Sequence, residues 1–157
     1  MKNILSIFVY TLFTIFLTFI FIQNSYARAK DINALKYFKH HKLKELYQVP
    51  QNPKYWTLLL NNISNNVRIS DTHFINYKIL VVAYGPALKL FMKSDKKYYP
   101  LLQSIASYGV KLVACHQTML GMHVKKTQIF KFVHIVYPGA IFYIVQKENE
   151  GYAYLQP

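Results

Sequence analysis

The run Tyr77-Lys78-Ile79-Leu80-Val81-Val82-Ala83-Tyr84 limits this chain more than any other segment. Its centre is continuously apolar and rich in β-branched residues, so a strand over Lys78–Tyr84 must hide both of its faces. Such a strand belongs in a parallel sheet with helices on either side. Gly85-Pro86 ends it. Three more runs read the same way. Leu43–Val49 is stopped by Pro50, Val110–Cys115 is entered through Gly109, and Phe132–Val136 leads to Pro138-Gly139.

The segments between these strands carry helical signals. Trp56, Leu59, Leu60, Ile63 and Val67 recur with the period of one helix face. Asn52-Pro53 supplies a cap and a first-turn proline for that helix. Ala87–Met92 starts a further helix that Ser94-Asp95-Lys96-Lys97 interrupts. Leu101, Leu102, Ile105 and Tyr108 mark a helix that Gly109 closes. Gln117–Gly121 forms a short helix or turn, and Pro138-Gly139 opens a helix that runs through Lys147 until Gly151 ends it. Tyr152-Ala153-Tyr154-Leu155 continues as a tail. Strand and helix alternate four times, which predicts an α/β fold with a mainly parallel sheet. There is no repeat, linker or low-complexity stretch, so residues 28–157 read as one domain, opening with a short basic helix that carries Ile32, Leu35 and Phe38.

Residues 1–27 read as a signal peptide. Lys2 gives a positive start, Ile4–Ile22 is almost wholly apolar, and Ser25-Tyr26-Ala27 puts small residues at the minus-three and minus-one positions of a cleavage site. Cleavage after Ala27 leaves Arg28 first, and cleavage after Ala29 is the other option. The apolar run also approaches the roughly 20 residues that cross a bilayer, so an uncleaved anchor is the rival reading. Membrane association is expected only in that second case. Either way the remaining chain is exported, and a periplasmic location is expected.

With 19 Lys and Arg against 6 acids, the chain carries a formal charge of +13. That charge gives either a soluble basic surface or attraction to anionic partners. Nucleic acid is disfavoured by export and by the lack of a zinc knuckle or a stacking motif. The six acids are scattered, so no paired-carboxylate site forms. No G-x-S-x-G elbow, P-loop or G-x-G-x-x-G is present. Hydrolase, kinase and dehydrogenase chemistry fall away, and no cofactor is expected.

The single cysteine, Cys115, stands where its strand should stop, before the polar run His116-Gln117-Thr118. In open α/β sheets ligand chemistry gathers outside the carboxyl ends of the strands. One cysteine cannot make an internal disulfide, so Cys115 is either a buried core residue or a used thiol. As a used thiol it reacts as the thiolate. Backbone N–H groups of Gln117, Thr118 and Met119 opening a short helix would favour that anion. His116 adds charge when protonated, and Thr118 either bonds the sulfur or caps the turn. A metal site built on Cys115, His116, His123 and His134 matches no standard zinc spacing and is not expected. On the first helix, Asn61, Asn62 and Asn65 form a pocket wall, a subunit contact or a solvated face.

Four segments carry a resemblance. They are Trp56…Leu60-Asn61-Asn62-Ile63-Ser64-Asn65, Val81-Val82-Ala83-Tyr84-Gly85-Pro86-Ala87, Gly109-Val110…Ala114-Cys115-His116-Gln117-Thr118-Met119, and Gln146-Lys147-Glu148…Gly151-Tyr152-Ala153-Tyr154-Leu155-Gln156-Pro157. In this order the chain resembles the DsrE/DsrF-like family, with its YchN-type small sulfur-handling proteins, and the exported branch in particular. Two positions depart from the family pattern. Tyr84-Gly85 stands where His-Gly is frequent, and Gln117 stands where Cys-x-Asn-Thr has its asparagine. The resemblance implies a three-layer, flavodoxin-like fold and a small homo-oligomer. It also implies a Cys115 that accepts sulfane sulfur as a persulfide from a donor protein and passes it to an acceptor. Gly85, His116, Gln117, Thr118 and Asn62 are then the candidate binding residues. The alternative is a non-enzymatic assembly module in the cell envelope with a structural Cys115.

Overall fold

The computed structural model describes residues 32–156, so the signal peptide expected at residues 1–27 lies outside the described residues. From Ala34 onward the chain gathers into one compact unit. It opens with a single helical turn, α1 (Leu35–Phe38), which carries two of the three apolar residues expected of a basic N-terminal helix. Strands follow at β1 (Leu43–Gln48), β2 (Tyr77–Ala83), β3 (Lys111–Cys115), β4 (Val133–Val136) and β5 (Ala153–Leu155). The longer helices are α2 (Trp56–Thr72), α3 (Tyr99–Ser107) and α5 (Ala140–Asn149), with the short α4 (His116–Gly121) directly after β3. All strand pairs are parallel, in the order β4-β3-β2-β1-β5.

Strand β2 behaves as its composition requires. Ile79, Leu80, Val81, Val82 and Ala83 are all buried, with odd and even positions facing opposite sides. Ile79, Val81 and Ala83 join one core with Trp56, Leu59, Leu60, Ile63 and Val67 of α2 and with Leu102 and Ile105 of α3. Leu80 and Val82 face the other side, where Ala140 and Ile144 of α5 pack on Leu46, Val113 and Cys115. The result is three layers, with α2 and α3 on one side of the sheet and α5 on the other.

Local signals set the boundaries. Asn52 accepts a hydrogen bond from the Lys54 N–H at 3.1 Å, and Pro53 begins a tight 3-10 turn that runs directly into α2. The Trp56 indole N–H donates to the Pro50 carbonyl at 2.8 Å, which ties the end of β1 to the start of α2. Gly109 closes α3 at φ +85°, in the left-handed region that favours glycine. The segment after β2 is a 3-10 turn, Gly85–Phe91, in place of the expected α-helical start. Proline at its second position and four buried apolar residues among seven hold it against the core.

The tail holds the main addition to the expected sheet. Residues Ala153–Leu155 form a fifth strand beside β1, pairing Glu45 with Ala153 and Tyr47 with Leu155. Helix α5 therefore crosses one whole face of the sheet, from β4 at one edge to β5 at the other. With every strand parallel, the carboxyl ends of β1 to β4 line one edge of the molecule. Cys115 ends β3 there, paired with Val136 of β4.

Candidate functional site at the carboxyl edge of the sheet

Three turns meet at Cys115. The turn after β2 supplies Gly85, the turn after β3 supplies His116, Gln117 and Thr118, and the turn after β4 supplies Gly139 and Ala140. Cys115 is the last residue of β3 and also the residue capping α4, in extended conformation at φ −75° and ψ 120°. The side-chain alternation of β3 sends its sulfur to the α5 face, next to Val113. The Ala140 N–H, the first of α5, donates to Cys115 Sγ at 3.3 Å. A side chain on Gly139 would crowd this point, since a Cβ there would lie 3.3 Å from Gln117 Cγ and 3.8 Å from Cys115 Sγ.

The electrostatics follow from these donors. Burial pushes the Cys115 thiol upward, and it is the largest single influence. Hydrogen bonds from the Thr118 hydroxyl and from the backbone N–H groups of Thr118, Ala140 and Gln117 act the other way. Together they prevail, and the thiol titrates below its ordinary value. Two helix starts point at one sulfur, and both favour negative charge there. Cys115 is only 5% exposed, so its sulfur is sheltered by the protein.

Thr118 connects two of the turns. Its Oγ1 accepts a hydrogen bond from the Gly85 N–H at 2.8 Å, leaving its own proton for the sulfur. Gly85 sits at φ +57°, where a β-carbon is strained. That Cβ would also come within 3.0 Å of Gln51 Oε1. Gln51 itself spans the turn, with Nε2 donating to the Tyr84 carbonyl at 3.2 Å and Oε1 accepting from the Ala87 N–H at 3.3 Å. His116 flanks the site, its ring 4.2 Å from that of the exposed Tyr137.

Of the residues singled out in the sequence, Cys115, Gln117, Thr118 and Gly85 share one hydrogen-bonded cluster, and His116 borders it. Asn62 belongs elsewhere. It is exposed on α2 and lines a separate hollow of about 390 Å³ with Tyr47, Asn65, Asn66, Leu155 and Gln156. Beside that hollow lies a polar cluster the sequence did not disclose. Glu45 is buried, and its carboxylate accepts from Asn66 Nδ2 at 3.2 Å and from the Tyr47 hydroxyl at 3.2 Å. Burial raises the Glu45 pKa, while the bonds from Asn66 and Tyr47 act against that rise. Gly139 and Ala140 at the sulfur, and Gln51 behind the Gly85 turn, were also missed. The signal for the first two was Pro138-Gly139 at a strand end, while Gln51 carried none. Among the described residues no group of three His, Cys, Asp or Glu side chains gathers around a metal position.

A family model described as DsrE/DsrF-like matches residues 54–157, which include the whole cluster apart from Gln51. The chain belongs to the DsrE/DsrF-like family. Its fold is also similar to the solved structure of a protein of unknown function, MTH1491, from Methanobacterium thermoautotrophicum. That likeness has a TM-score of 0.64 at 21% identity, and it covers 74% of this chain and 99% of that one. At this identity it speaks for the fold alone. No curated protein matches the chain.

Proposed function

We propose that this DsrE/DsrF-like protein is a sulfur carrier that accepts a sulfane sulfur on Cys115 and hands it on. The observation that carries this reading is the set of four donors around one buried sulfur. A cysteine that only fills apolar space is pushed upward by burial and stays protonated. Here the donors outweigh burial, so the thiol titrates below its ordinary value and reaches its reactive form more readily than a free cysteine.

The chemistry needs only these groups and a donor. The Cys115 thiolate attacks the terminal sulfur of a persulfide donor, R–S–SH. A bond forms between Cys115 Sγ and that sulfur, the donor S–S bond breaks, and R–S⁻ leaves with the electron pair. The proton stays on the transferred sulfur, and no outside oxidant or reductant enters. Delivery is the same exchange in reverse, onto an acceptor thiolate. Homo-oligomerisation and export belong to the same proposal.

A second reading has its own support. Cys115 packs with Leu46, Leu80, Val82, Val113, Ala140 and Ile144, as a structural core residue would. The two separate in one experiment. Intact-mass measurement after incubation with polysulfide should show sulfur added to the wild-type protein, reversible by dithiothreitol, and none added to folded Cys115→Ser. Failure of the native wild-type protein to take up sulfur overturns the carrier reading. Unfolding of Cys115→Ser, with no uptake by the wild type, supports the structural one.

A further inference from the structure

A second feature, unconnected with the cysteine, lies at the start of β4. Tyr99 opens α3, and Phe130 and Phe132 lead into β4. Their rings pack together, with centroids 5.0 Å apart for Tyr99 and Phe130, 5.8 Å for Tyr99 and Phe132, and 5.5 Å for Phe130 and Phe132. The three rings floor a hollow of about 520 Å³ whose charged lining is Lys93, Lys96 and Lys131. No acidic residue lines it. The hollow is within the range of roughly 300–1,000 Å³ typical of small-molecule sites.

The backbone holds this hollow in shape. Met92 bridges Ile129 in antiparallel fashion, the Lys93 N–H donates to the Gln128 carbonyl at 2.8 Å, and the Phe130 N–H donates to the Phe91 carbonyl at 3.1 Å. Lys93 Nζ is anchored on the Thr127 carbonyl at 2.6 Å, which fixes its charge at the rim. An adjoining hollow of about 350 Å³ shares Lys93, Phe130 and Lys131, and adds Lys126 together with Val133 and Ile135 of β4. The nearest acid in sequence, Asp95, accepts from the Lys97 N–H and lines neither hollow. Among the described residues the ion pair formed is Lys147–Glu150, so none of these lysines is neutralised by a carboxylate.

An aromatic and aliphatic floor beneath a rim of unneutralised ammonium groups matches one ligand chemistry. We propose that this groove binds a single amphiphilic anion from solution, with its apolar body on Tyr99, Phe130 and Phe132 and its carboxylate, sulfonate or phosphate head between Lys93, Lys96 and Lys131. Lysine serves such heads as a point charge, without demanding one planar geometry. The site takes a class of compound defined by shape and charge. It is independent of Cys115.

Decanoate is the probe. Calorimetric titration of the purified protein should give saturable binding of one molecule, weakened by added salt. The ring signals of Tyr99, Phe130 and Phe132 should shift in the same titration. Decanol, which lacks the charge, and inorganic phosphate, which lacks the apolar body, should each bind at least tenfold more weakly. The double variant Lys96→Glu and Lys131→Glu changes two exposed side chains, and should weaken decanoate by on the order of tenfold or more. Lys78→Glu and Lys111→Glu, on other exposed positions, should not. Binding to phosphatidylglycerol vesicles with no uptake of free decanoate would place the attraction at a membrane surface and overturn the proposal. So would ring signals that do not move, equal affinity for decanol, or an affinity unchanged in the double variant.

Discussion

Replacing Thr118 by valine tests the site at the residue that links its turns. The change keeps the side-chain shape and removes the hydroxyl that accepts from the Gly85 N–H at 2.8 Å and donates to the Cys115 sulfur. Hydrogen bonds to charged groups are worth about 1.5–3 kcal/mol. Only the excess of the bond to thiolate over the bond to thiol matters for titration. Taking that excess near the lower bound, about 1.4 kcal/mol, the thiolate population at a pH below its titration falls about tenfold. A more basic thiolate is also a better nucleophile, with a Brønsted coefficient of about 0.4–0.5. The two effects leave modification roughly three- to fourfold slower at acidic pH, and the order reverses to roughly threefold faster for the variant where both thiols are ionised. The loss of a partner for the Gly85 N–H costs a further ~1–3 kcal/mol of stability. Rates of modification by methyl methanethiosulfonate, followed by intact mass from acidic to alkaline pH, measure the first effect. Chemical denaturation measures the second. Thr118→Ser keeps the hydroxyl and should react as the wild type does. A Thr118→Val protein that reacts as fast as the wild type at every pH refutes the role given to the hydroxyl.

Four further outcomes follow from the geometry. Gly85→Ala should lose roughly 1–2 kcal/mol, the cost of a β-carbon in the left-handed region, and should slow Cys115 alkylation by displacing the turn that holds Thr118; denaturation and alkylation rates check both. Trp56→Phe removes the donor to the Pro50 carbonyl and should cost about 1–3 kcal/mol by chemical denaturation, whereas a neutral result would mean that water replaces the indole. Leu60→Ala in the α2 core should cost about 2–5 kcal/mol in the same assay. Glu45 has a raised folded pKa, so its contribution to stability is present below its unfolded value of about 4.3 and is lost as pH rises through the folded value. The stability of the wild type relative to Glu45→Gln should therefore fall across that interval, and a difference independent of pH would contradict the burial of the carboxyl.

The core of the fold was legible because its signals are repetitive. Five apolar positions of α2 and the unbroken run of β2 each repeat the same message, and burial enforces it. The strand at Ala153–Leu155 escaped because three residues carry no usable period and it sits at a sheet edge. What makes it a strand is the open side of β1, a feature of the folded molecule. The turn Gly85–Phe91 looked like a helical start because helix and 3-10 turn share their apolar spacing over so short a span. At the site, Cys115 was visible as a polar break after an apolar strand. Thr118 and Gln117 came with it because they are its sequence neighbours. Gly85 came from the family resemblance, while Gly139 and Ala140 reach the sulfur, and Gln51 braces the Gly85 turn, only through parallel pairing, which joins turns far apart in sequence. Asn62 lines a hollow of its own with Tyr47 and Leu155, which matches the pocket-wall reading of its helix face, and nothing in its sequence told which hollow that would be. Glu45 was hidden inside an apolar-rich strand, where only its burial beside Tyr47 and Asn66 reveals it.

The central claim is that the fold activates Cys115 rather than merely burying it. It is tested most directly by comparing sulfur uptake from polysulfide by the native protein and by the same protein unfolded in urea, at mildly acidic pH. Unfolding removes the four donors together with the shelter. If the donors outweigh burial, the native protein should gain sulfur faster than the unfolded chain, and the advantage should shrink as pH rises and the free thiol ionises. A native protein that gains sulfur more slowly than the unfolded chain at every pH would contradict the account and leave Cys115 a structural residue.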